Sequence, residues 1–166
     1  MSIPTALPAE PPDITGPWLW LFPATFAIHL VEEGLAAEGF YQWIRRLSGR
    51  EIGRRSFFAA NLAFELVMVA AVHHARTDED GAWVVPALGL ITATNGSGHL
   101  LGSAVTRSYS PGAVSGAGLW APLGVIALVR SRRALSRRDW RRGMVAGLLV
   151  SAALVPLALA VSRRSG

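Results

Sequence analysis

His29, Glu32 and Glu33 bring an imidazole and two carboxyl groups together within five residues. In a helix both glutamates, three and four positions beyond the histidine, share its face. The rest of residues 18–37 is apolar or small, apart from Thr25. About 20 residues at ~1.5 Å each cover the ~30 Å hydrocarbon core of a bilayer. An acidic side chain at the centre of such a span costs roughly 2.5–3.5 kcal/mol on insertion scales, so two in a row predict a function. The chemistry is that of a metal site or a proton-transfer site.

Other apolar runs add groups of the same kind. Asn61 and Glu65 stand four apart in a second run, and Thr92, Asn95, His99, Ser103 and Thr106 recur at intervals of three and four in a third. Counting ~1.5 Å per residue from the span midpoints, His29, Asn95 and Glu65 fall near the bilayer centre. Glu32, Glu33, Asn61 and His99 lie about one turn toward the side bearing Tyr109. Two chemistries fit one cluster. In the first, His29, Glu33 and His99, with Glu32 or Glu65, ligate Zn, Fe or Mn. In the second no metal binds; Glu32 and Glu33 cannot both ionise cheaply in low dielectric, and the pair with His29 moves protons. The bland alternative is that buried polar side chains bond helices together, at about 0.6 kcal/mol per contact. It fits Asn61, Thr92 and Ser103 best, while His73 and His74 read as interfacial and Gly96 and Gly98 as packing positions.

These side chains need elements to carry them, and composition says which. The chain is 51% hydrophobic and 16% charged, with its apolar residues gathered into runs between short charged loops, which predicts an all-α polytopic bundle. Residues 1–16 are Pro-rich, read as a disordered tail and do not resemble a signal peptide. Residues 17–162 form one transmembrane domain of about five spans, at 17–37, 57–75, 83–106, 113–129 and 143–161. An interfacial aromatic segment at 40–47 follows the first span, the run Thr94 to His99 interrupts the third, and an arginine-rich loop at 130–142 precedes the fifth. A re-entrant segment between residues 83 and 129 is the alternative. The basic residues are sixteen arginines and no lysine, and no cysteine is present, which removes disulfides and thiolate ligands. With the N-terminus outside, Arg45, Arg46, Arg50, Arg54, Arg55, Arg107, Arg163 and Arg164 count as inside. Arg76 and the seven arginines of residues 130–142 count as outside, so the positive-inside rule is tied. Arginines in such loops meet lipid head groups rather than nucleic acid.

His29-x-x-Glu32-Glu33, Asn95-x-x-x-His99 and Tyr109-x-Pro111-Gly112 together resemble, in order and rough spacing, the motifs of the HXXEE-motif family of small integral membrane proteins. The resemblance implies a membrane-embedded enzyme to which no reaction is assigned. It marks His29, Glu32, Glu33, Asn95, His99, Tyr109, Pro111 and Gly112 as the functional set, and Glu65 is added from burial alone. The favoured expectation is an integral, multi-pass plasma-membrane enzyme acting on a lipid-like or other hydrophobic small molecule, with membrane lipids as its surroundings. A proton-coupled transporter or binding protein, and a non-catalytic protein with a structural polar core, are the alternatives. No internal repeat of the kind transporters carry is found. His99 is expected within ~10 Å of His29, with Tyr109 at the mouth of the same cavity.

Overall fold

The computed structural model describes residues 13–161 and 163–164, and they form an all-helical bundle. The first twelve residues of the expected tail lie outside the described residues. The last four pack, with Ile14 buried and the Asp13 carboxylate accepting the Thr15 amide. A 3-10 turn over Pro17–Trp20, its φ preset by Pro17, leads directly into helix α1, Leu21–Leu35. Helix α2 is Phe40–Ser48, opened by Gln42 Oε1 accepting the Gly39 amide and closed by Gly49 in the left-handed conformation. Helix α3 is Arg54–Thr77 and helix α4 is Val84–Thr106. Helix α5, Ala113–Ala134, contains a π-helical turn at Gly116–Trp120. Helix α6 is Arg137–Val161, capped by Ser136, which accepts the Asp139 amide and donates to its carboxylate. A two-residue antiparallel ladder pairs Arg50–Glu51 with Arg163–Arg164.

Two boundaries differ from expectation. The run Thr94 to His99 does not interrupt its helix; α4 is continuous there, because Thr94 returns its hydroxyl to the Leu90 and Ile91 carbonyls and Gly96 gives α5 close access, whereas Gly98, read as a packing position, faces open space. The arginine-rich stretch 130–142 is helical except at Leu135 and Ser136, since arginine is a good helix former and only the extended Leu135 breaks the backbone. The aromatic segment at 40–47 is helical, with Trp43 buried.

The helices alternate in direction. Phe26 meets Phe64 and Gly34 meets Phe58 across α1 and α3, while Gly89 lies at Gly124 and Gly96 at Gly116 across α4 and α5. Helix α6 runs parallel to α4, with Gly147 at Ala87 and Ser151 at Thr94. Helix α4 is therefore the centre of the bundle. A Cβ at Gly96 would come within 2.5 Å of the Gly116 carbonyl oxygen, so the α4–α5 approach depends on bare backbone on both sides. The apolar core fills the half of the bundle away from Tyr109, with Leu19, Phe22 and Phe26 of the first segment against Met68, Val72, Val85, Leu88 and Trp120.

Among the described residues two helices, Arg54–Thr77 and Ala113–Ala134, are long and apolar enough to cross a membrane, against the five spans expected. Helix α1 has only 15 residues without its 3-10 turn, and the polar run dilutes α4.

Candidate functional site

His29, Glu33 and His99 meet in the interior of the bundle, with exposures of 1%, 5% and 5%. The i,i+4 pair on α1 converges as its spacing requires, His29 Nε2 lying 3.6 Å from Glu33 Oε1. His99 of α4 closes the group at 3.1 Å from the same oxygen, and the two imidazoles stand edge to face at 4.9 Å between centroids. One ligand atom from each residue lies within 4.8 Å of the others. Around a single tetrahedral ion at about 2.0–2.2 Å from each donor those atoms would sit about 3.5 Å apart, a side-chain adjustment of roughly an ångström. The expected proximity of His29 and His99 is met.

Each imidazole is held from behind by a serine hydroxyl. His29 Nδ1 is 2.7 Å from Ser115 Oγ, and His99 Nδ1 is 3.1 Å from Ser110 Oγ. With Nδ1 donating to the hydroxyl, each Nε2 carries the lone pair that a metal requires. The Trp120 ring stacks on His29 at 4.7 Å and 18°, and Phe40 stands 5.2 Å from His99. The π-helical turn places Ser115 and Trp120 on one imidazole. Five residues apart, they would point about 140° away from each other on a regular α-helix.

Glu32 leaves this group. Its Oε1 accepts the Val114 amide at 3.0 Å and its Oε2 the Ser115 amide at 2.7 Å, so it caps the start of α5 from a different helix. The Tyr109 hydroxyl donates to the same carboxylate. The two glutamates thus have separate partners, which does not fit a carboxyl pair sharing one proton. Burial, and then the Glu32 carboxylate that takes its hydrogen bond, push the Tyr109 phenol up to about 12.

The Tyr109-to-Gly112 turn is pinned by the Ser110 amide, which donates to Ser103 Oγ at 2.9 Å. Pro111 is fully buried. Gly112 has φ +96°, and a Cβ there would lie 2.7 Å from His29 Cε1 and 2.9 Å from His99 Cε1. Only glycine satisfies both the backbone and the space. Gly112 is the wedge against which the two imidazoles rest.

The remaining candidates fall outside the three-residue group. Glu65 is half-buried on α3, and its Oε2 is enclosed without a hydrogen-bond partner. Asn61 donates to the Phe57 carbonyl of its own helix at 2.9 Å, so its bond is local and does not join one helix to another as expected. Thr92 likewise returns its hydroxyl to the Leu88 and Gly89 carbonyls. Asn95 lies beside the His29 imidazole, and its Oδ1, like His29 Nε2, is buried without a partner. A cavity of about 290 Å³ opens beside His99 and Asn95, between α2, α4 and α6. Tyr109 does not line it, because its hydroxyl is turned to Glu32 on the other side of the turn. Ser110, Ser115, Trp120 and Phe40 were not among the expected site residues. Only Ser110 carried a signal, being enclosed within the Tyr109-to-Gly112 motif.

Among comparisons with known proteins, a family model described as "Protein of unknown function with HXXEE motif" matches residues 20–127. The matched region holds every residue of the His29, Glu33 and His99 group and its serine supports. No curated protein and no solved structure matches the chain.

Proposed function

The chain belongs to the HXXEE-motif family, and on that premise we propose that it is a multi-pass integral membrane enzyme in which His29, Glu33 and His99 hold one divalent metal, with a lipid-like or other membrane-dissolved substrate. The observation that carries this reading is His29 Nε2, a buried nitrogen that faces a carboxylate, a second imidazole and the Asn95 side chain without a hydrogen bond of normal geometry among the described residues. Burying such an atom unpaired costs about 1–3 kcal/mol. An ion at that point would satisfy it together with His99 Nε2 and Glu33 Oε1. Two imidazoles and one carboxylate are a donor set with which zinc keeps a fourth position open, and they suit iron or manganese as well. The ion would supply Lewis acidity or an activated water.

The membrane part of the reading is supported by the outer surface. Leu62, Leu66 and Val67 on α3, Val125, Ile126 and Val129 on α5, and Val145, Leu148 and Leu149 on α6 all face outward. Aliphatic surface on that scale is unusual for a soluble monomer. At one end of the bundle Arg130 lies over Trp18, Arg76 over Trp20 and Arg142 over Trp83, the aromatic and cationic pairing expected at a head-group layer.

A metal-free acid–base site is the second reading, favoured by the hydrogen bonds that join the Tyr109 phenol to Glu32 and the His29 imidazole to the Ser115 hydroxyl. Elemental analysis of protein purified in detergent without chelators distinguishes the two. One Zn, Fe or Mn per chain, lost in a helical His99→Ala variant, is the expected result. Metal-free wild-type protein would leave the acid–base reading.

A further inference from the structure

We propose that the cavity beside His99 binds a single acyl chain ending in a carbonyl group, such as a fatty ester or amide, with the Asn95 side chain receiving the carbonyl oxygen. Phe40 and Trp43 of α2, Ile91 of α4 and Leu154 of α6 supply apolar and aromatic walls; the Thr94 and Ser151 hydroxyls in the lining bond each other, and both His99 nitrogens face Ser110 and Glu33, which leaves Asn95 as the polar group turned to a ligand. At about 290 Å³ the cavity is at the lower limit of the roughly 300–1,000 Å³ range of small-ligand sites. That space suits one chain and excludes a two-chain phospholipid.

Asn95 stands at the boundary between the metal group and the cavity. Its Oδ1 is enclosed against His29, and among the described residues no hydrogen bond occupies its Nδ2. An amide whose oxygen is turned inward presents its two N–H donors on the cavity side, and such donors select for an acceptor. His99 lies one turn further along the same face, so a carbonyl held by Asn95 would be adjacent to the His29, Glu33 and His99 group. The chain has a route in from lipid. Gly98 lines the cavity, a Cβ there would meet nothing within 4 Å, and the neighbouring Leu100 and Leu101 face outward.

The fate of the carbonyl rests on the enzyme reading above, whereas its binding does not, and one experiment separates them. The probe is a medium-chain fatty methyl ester with a diazirine close to its ester group, photolysed with detergent-purified protein and mapped by mass spectrometry, metal content being measured on the same samples. The ester is expected to label residues 40–43 and 95–99, with competition by excess monoacylglycerol and none by diacyl phospholipid. An alkyl methyl ether of equal length should label about ten-fold less, the equivalent of one buried hydrogen bond. Gly98→Leu, which fills open space on a helix, should abolish labelling with metal content retained, and Asn95→Leu should bring the ester down to the level of the ether. Equal labelling by ester and ether, or undiminished labelling of Gly98→Leu, overturns the proposal; competition by diacyl phospholipid overturns the single-chain occupant. Selective labelling of a metal-free wild-type protein would instead remove the metal-enzyme reading and leave this one standing.

Discussion

Glu32 and Glu33 are neighbours in sequence and chemically alike, yet about 100° of helical rotation sends them to different partners. Glu33 meets two imidazoles, and Glu32 meets the exposed amides that open α5 together with the Tyr109 hydroxyl. Glu33→Gln is therefore expected to lose bound metal while keeping its helical content. Glu32→Gln should keep the metal and lower stability by about 1.5–3 kcal/mol, the range for hydrogen bonds to a charged group. Metal analysis and thermal unfolding of both variants check this, and metal loss confined to Glu32→Gln would reverse the assignment. Tyr109 supplies a pH test. Its phenol is raised from 10.0 to about 12, so the contribution of its neutral form is complete below pH 10 and is lost as pH rises through about 12. The chain has two tyrosines, and tyrosinate absorbance should show a late-ionising phenol that Tyr109→Phe lacks.

Among the elements, the turn between α4 and α5 decides whether two histidines 70 residues apart in sequence make one site. Gly112 allows the turn its positive φ and admits both imidazole edges to the space a side chain would fill. Gly112→Ala combines a left-handed residue, costing about 1–2 kcal/mol, with a close contact of overpacking size, about 1–3 kcal/mol. It should lower both melting temperature and metal stoichiometry. Gly118→Ala on the same helix, where a Cβ meets nothing within 4 Å, should change neither. Equal behaviour of the two variants would remove the wedge role of Gly112.

For the whole molecule, the question is what solvent the outward aliphatics meet. The absence of cysteine makes single-cysteine variants clean reporters. Val67→Cys and Leu149→Cys, both outward-facing, should resist a membrane-impermeant maleimide in native vesicles and react once the protein is in denaturant. Glu38→Cys and Glu79→Cys lie in the connections at opposite ends of the bundle, and only one should react from outside, which would also fix the orientation that the arginines leave tied. Reaction of the Val67 and Leu149 variants in sealed vesicles would defeat the membrane reading.

The sequence by itself determined the helical class, the five apolar segments and the convergence of His29 and Glu33, because these depend on composition and on a period of 3.6 residues, both local. It also marked His99 and Gly112, through the order of three short motifs. What only the tertiary structure decided depends on side chains far apart in the chain. The separate role of Glu32 required the amides of α5, and the two serines behind the imidazoles have no spacing that would single them out. Pointing Ser115 and Trp120 at the same ring required a π-helical turn that periodicity does not encode. The boundaries near Thr94 and Arg130 were misplaced for a related reason. Polar and cationic residues mark a loop only where the backbone lacks helical partners; here threonine back-bonding, bare glycine contacts and arginine's own helix propensity kept the helices intact.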